Sequence, residues 1–93
     1  MSGIACERTV AIQNKYGLHA RPAAEFVKLA SRFMSDVFVR KQDGDEVNGK
    51  SIMGMMMLAA EFGSEITIRA CGSDAEGAVR DLAALIDGRF GEE

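Results

Sequence analysis

Two segments of this chain repeat their apolar residues at helical spacing, and the stretches between them alternate at strand spacing or carry turn residues. Over residues 20–33 the apolar positions are Ala23, Phe26, Val27, Ala30 and Phe33; over 75–86 they are Ala75, Ala78, Val79, Leu82, Leu85 and Ile86. A helix with one apolar stripe has to bury it, and in a chain of 93 residues the strands are the available partner. Strands are predicted at 7–12 with Val10 and Ile12 inward, at 36–42 through Val37, Phe38 and Val39, and at 46–48. A fourth, at 65–71, puts Ile66, Ile68 and Ala70 on one face. Pro22 opens the first helix, where its missing N–H costs nothing. Asp43-Gly44-Asp45 reads as a hairpin turn. Ser73 and Glu76 predict a capping box for the last helix, and Gly88 its end. Residues 51–58, Ser-Ile-Met-Gly-Met-Met-Met-Leu, are too short and too apolar for periodicity to decide, but Ser51 is placed to cap a short helix. The order β-α-β-β-α-β-α predicts a single α+β domain over residues 1–93. It is an open-faced β-sandwich, a four-stranded, mostly antiparallel sheet with its helices on one face.

Composition narrows the function. The net charge is −3, without the basic excess of a nucleic-acid-binding protein. Cys6 and Cys71 are far apart and there is one histidine, so no typical zinc site is expected and no other metal; both cysteines read as reduced thiols in strands. Residues 1–18 carry Glu7, Arg8 and Lys15 without the apolar stretch of a signal peptide. No apolar run approaches the roughly 20 residues that span a bilayer, so a cytoplasmic protein without membrane insertion is expected. Residues 1–6 and the tail Gly91-Glu92-Glu93 are expected to fray.

The chemistry is concentrated in Gly17-Leu18-His19-Ala20-Arg21-Pro22-Ala23-Ala24. His19 stands where a loop ends and a helix begins. The first turn of a helix has backbone N–H groups without intrahelical partners and a partial positive charge, which together bind phosphate. Arg21 adds a permanent cation whose planar fork suits phosphate oxygens. The same fields disfavour imidazolium, so they favour a neutral, nucleophilic His19 near neutral pH. Taken alone, a histidine near a helix start is most often a capping or solvated residue. With Arg21 and Pro22 beside it, the segment reads as a phosphate or anion site.

That segment closely resembles the active-site signature of HPr, the phosphocarrier family of the bacterial phosphotransferase system. A second stretch, Asn48-Gly49-Lys50-Ser51-Ile52-Met53-Gly54-Met55-Met56, resembles the family's regulatory-serine region, and the likeness runs from residue 7 to about residue 88. The resemblance implies that His19 carries phosphate on Nδ1 and that Arg21 assists its transfer. It implies enzyme I as donor, IIA domains of sugar permeases as acceptors, and no cofactor of the chain's own. Ser51 matches the serine acted on by an HPr kinase/phosphorylase. Ile52, Met53 and Met56 match the apolar docking patch, while Met55 and Met57 are candidates for the core. Ala20, Ala24 and Lys28, on the side of the first helix away from its apolar stripe, are expected to frame the patch around His19. The chain would then be a monomeric phosphoryl-transfer intermediate in sugar uptake rather than a stand-alone enzyme. It offers no general acid/base pair for independent catalysis. A nitrogen-branch carrier or a purely regulatory binding module are the competing roles. The aromatic ring of Tyr16, next to Gly17, has no assigned role.

Overall fold

The computed structural model describes residues 4–91. Its elements are β1 (Ile4–Ala11), α1 (Ala20–Ala30), β2 (Asp36–Lys41), β3 (Val47–Asn48), α2 (Ile52–Met57), β4 (Glu65–Gly72) and α3 (Ala75–Asp87), followed by a turn at Arg89–Gly91. The strands form one sheet in the order β1-β4-β2-β3, with every neighbour antiparallel. This is the open-faced α+β sandwich that the apolar spacing predicts. The last strand in sequence lies inside the sheet because the crossover through α1 leaves room for it between β1 and β2.

Register decides which residues meet the helices. Val10 pairs with Ile66, Arg8 with Ile68 and Cys6 with Ala70; across the other edge of β4, Val39 pairs with Ile68 and Val37 with Ala70. Directly paired residues share a face, so Ile66, Ile68, Ala70, Val37 and Val39 form one apolar floor. Onto it pack Ala23, Phe26 and Ala30 of α1 and Ala75, Ala78, Val79, Leu82 and Ile86 of α3, all in the same buried cluster. Val27, Phe33 and Leu85 pack at its margin, half-buried.

The opposite face of the sheet carries no helix and is finished with polar contacts. Thr9 and Thr67 share a hydroxyl hydrogen bond of 2.8 Å across β1 and β4. Arg69 donates twice to Glu46, at 2.8 Å each, and its guanidinium lies 4.6 Å from the centre of the Phe38 ring. Phe38, which the sequence places in the same apolar run as Val37 and Val39, is thereby shielded on the solvent side. The Arg69 guanidinium also holds the Glu46 carboxyl below its ordinary pKa. Cys6 and Cys71 occupy opposite faces, since Cys6 pairs with Ala70 and Cys71 with Ala5. Both are free thiols.

Two local expectations change. Residues 4–6 are not frayed: β1 begins at Ile4, because β4 continues to Gly72 and offers it a partner. Residues 1–3, 92 and 93 lie outside the described residues. The capping box does not form. Asp74, not Ser73, precedes α3, and its carboxylate makes no bond to its own helix. It accepts instead from Met34 N at 2.8 Å, from Ser35 N at 2.9 Å and from the Ser35 hydroxyl. Ser35 is buried, so its donors need an acceptor and take this one. Those bonds, the hydroxyl's first, hold the Asp74 carboxyl below its usual pKa. Gly88 does end α3, after which positive φ values at Arg89 and Phe90 turn Phe90 back into the core.

Candidate functional site

The loop between β1 and α1 is fastened at both ends to the loop before β4. Ile12 N donates to Ser64 O at 2.8 Å, Gly63 N to Ile12 O at 2.9 Å and Leu18 N to Ala60 O at 2.9 Å. Within the loop, Gly17 N donates to Asn14 O at 3.1 Å, closing a turn whose corners are Lys15 and Tyr16. The buried Asn14 side chain donates to Gly17 O at 2.7 Å, and His19 N donates to the same oxygen at 3.0 Å. Gly17 has φ +71, and a Cβ there would stand 2.5 Å from Ala60 O. Only glycine permits both the backbone angle and this approach.

The loop delivers His19 to the N-cap of α1, with φ −79 and ψ −173. Its carbonyl accepts from Ala23 N at 3.0 Å, the first helical bond. Its side chain makes no capping hydrogen bond and is exposed. Pro22 has no N–H, and Ala23 N is engaged, so the helix start presents the N–H groups of Ala20 and Arg21. Arg21 is exposed in the first turn. An exposed imidazole, a helix start and an arginine thus lie within three residues. This is an arrangement able to receive an oxyanion. The Tyr16 ring stands edge-to-face to the His19 ring, with centroids 6.3 Å apart and an interplanar angle of 80°. Sequence alone left this contact unseen, because it depends on the turn that Gly17 closes.

Ala20 and Lys28 are exposed and Ala24 half-buried, spaced one helical turn apart along α1. Ser51 is the N-cap of α2, and its hydroxyl accepts from Gly54 N at 3.0 Å. Lys50, which its sequence context did not single out, donates through Nζ to Phe33 O at 2.8 Å and so ties this cap to the end of α1. α2 packs against α1, which brings the two candidate segments onto one side of the molecule. Ile52, Met53 and Met56 are exposed, at 44%, 73% and 44%, and Met55 is fully buried. Met57 is not in the core: it is 76% exposed. One face of a six-residue helix is enough to fill the gap beneath it, and Met55 with Leu58 fills it. Met57 therefore enlarges the apolar surface beside Ile52, Met53 and Met56.

Comparison with known proteins accords with this geometry. The family model described as the PTS HPr component phosphorylation site matches residues 6–88. The chain belongs to the HPr family. It is 50% identical to the phosphocarrier protein HPr of Neisseria meningitidis serogroup A, over 92% of this chain and 96% of that one. It is 51% identical to the HPr-like protein Crh of Bacillus subtilis, over 86% and 93% of the two chains. Its fold superposes on the crystal structure of HPr-C-His from Thermoanaerobacter tengcongensis with a TM-score of 0.89 at 50% identity, covering 95% of this chain and 98% of that one. Among the described residues, no helix is long and apolar enough to cross a membrane.

Proposed function

We propose that this chain is a cytoplasmic, monomeric phosphocarrier of one domain that receives a phosphoryl group on His19 from phospho-enzyme I and delivers it to IIA components during sugar uptake. The observation that carries this reading is the exposed His19 side chain at the N-cap of α1, unused for capping, in a chain of the HPr family. In the transfer, the lone pair of neutral Nδ1 attacks phosphorus, the N–P bond forms and the donor's bond to phosphorus breaks. The Ala20 and Arg21 N–H groups and the Arg21 guanidinium stabilise the charge on the phosphoryl oxygens during transfer. The chain uses no cofactor for this step. The test is incubation with a cognate enzyme I and labelled phosphoenolpyruvate. One acid-labile, base-stable phosphoryl group per chain is expected; an unlabelled chain beside an active enzyme I removes the reading.

Ser51 supports a second, regulatory role, with an HPr kinase/phosphorylase as the modifying enzyme. Its hydroxyl caps α2 immediately before the exposed Ile52 and Met53, so charge added there falls on the docking surface. A donor surface that accepts Arg21 and Lys28 is acidic, and like charges meeting at an interface are costly. Ser51→Asp keeps a good helix cap, so the fold should hold. Its expected effect is a KM for the carrier in the enzyme I reaction raised about tenfold, the equivalent of roughly 1.4 kcal/mol. Ser51→Ala should leave that KM near the wild-type value. A wild-type KM in Ser51→Asp would reduce Ser51 to a cap.

A further inference from the structure

We propose that Tyr16 is a positioning residue for the His19 imidazole. The inference rests on the phosphocarrier reading above and assigns a role to a ring that this reading does not use. Tyr16 and His19 are carried on one fastened frame. The turn that holds Tyr16 is closed by Gly17 N to Asn14 O, and His19 N is bonded to Gly17 O, as is the buried Asn14 amide. The backbone on either side of the ring pair is therefore fixed, and the two side chains meet within the range of edge-to-face aromatic contact. Lys15 Nζ lies 5.4 Å from the centre of the Tyr16 ring, within reach of a cation–π contact that steadies it.

Tyr16 is 72% exposed, so the contact contributes little to the core. Its consequence is local. A side chain in contact with a neighbouring ring has fewer of its staggered wells open to it. The Tyr16 ring, in edge-to-face contact with the imidazole, limits how that ring turns. It thereby favours the orientation that keeps a ring nitrogen available beside the helix start. This acts on the chemical step, because an already aligned nucleophile spends less of its encounter with the donor in unproductive orientations.

Three carriers test the proposal with enzyme I and phosphoenolpyruvate: wild type, Tyr16→Phe and Tyr16→Ala. In Tyr16→Ala, kcat should fall about three- to fivefold, the loss for a less well aligned nucleophile, with KM within about twofold of wild type. Tyr16→Phe keeps the ring and should restore wild-type kcat. Independently of any partner, the His19 ring protons should carry a ring-current shift in the NMR spectra of wild type and Tyr16→Phe, and lose it in Tyr16→Ala. Unchanged kcat and unchanged His19 resonances in Tyr16→Ala overturn the proposal. So does a change confined to KM, which would make Tyr16 a contact for the partner, or a Tyr16→Phe carrier that behaves like Tyr16→Ala. If wild type itself takes no label, the carrier reading fails and the positioning role with it. If wild type is labelled and Tyr16→Ala matches it in kcat, the positioning role alone fails.

Discussion

A His19→Ala chain is expected to take up no phosphoryl group from phospho-enzyme I while folding as the wild type does. The two halves of this result have separate causes. His19 is the only histidine in the sequence, so no second imidazole can replace it as nucleophile. Removal of an N-cap side chain usually costs about 1 kcal/mol, but that cost reflects a lost capping bond. The imidazole of His19 makes no such bond, and it is exposed. The substitution therefore avoids the loss of a cap and should cost about 1 kcal/mol or less, a shift in Tm of at most roughly 4–8 °C for a domain of this size. Labelling with phosphoenolpyruvate and a thermal melt on the same preparation give both readings. Label retained by a folded His19→Ala chain would move the phosphoryl site elsewhere.

Gly17→Ala should damage both stability and transfer. The residue has φ +71, a region that costs an L side chain roughly 1–2 kcal/mol. The added Cβ would also stand 2.5 Å from Ala60 O and 2.9 Å from Glu61 Cα, both backbone atoms that no side-chain rotation can move aside. Together these should cost about 3 kcal/mol, lowering Tm by roughly 12–24 °C. Relief by moving the loop would spare some stability, but it would break the 2.9 Å bond from Leu18 N to Ala60 O and shift His19. Phosphorylation rate and melting temperature, measured together, show how the cost divides. A variant normal in both would mean that Gly17 does not hold the histidine loop.

Much of this architecture is written in local periodicity. The stripes of α1 and α3 and the alternation of Ile66, Ile68 and Ala70 are read from single windows, because each element buries one face. The helix-start positions of His19, Arg21 and Ser51 were legible for a similar reason: each start is marked by its own neighbours. What escaped depends on contacts between distant segments or on a conformation with no period. Met55 and Met57 are chemically identical and two residues apart, and only the position of α2 against α1 buries one and exposes the other. Ser73 and Glu76 satisfy a local capping pattern, yet Asp74 serves Met34 and Ser35 across the chain. The Tyr16–His19 contact follows from a left-handed glycine that a residue pattern marks only as a turn.

The placement of β4 between β1 and β2 has a consequence for how the protein is made. Thr9 meets its partner Thr67, 58 positions further along the chain, and the bonds that fasten the histidine loop go to Ala60, Gly63 and Ser64. Closing so long a loop is entropically slow compared with forming a helix. During synthesis, α1 and the β2–β3 pair have all their residues long before β4 leaves the ribosome. The start of α1 is therefore fastened later than its own residues are made. A nascent chain that ends before Ala60 would carry His19 on an unfastened loop. The geometry around His19 thus forms only after the segment through Ser64 has been made.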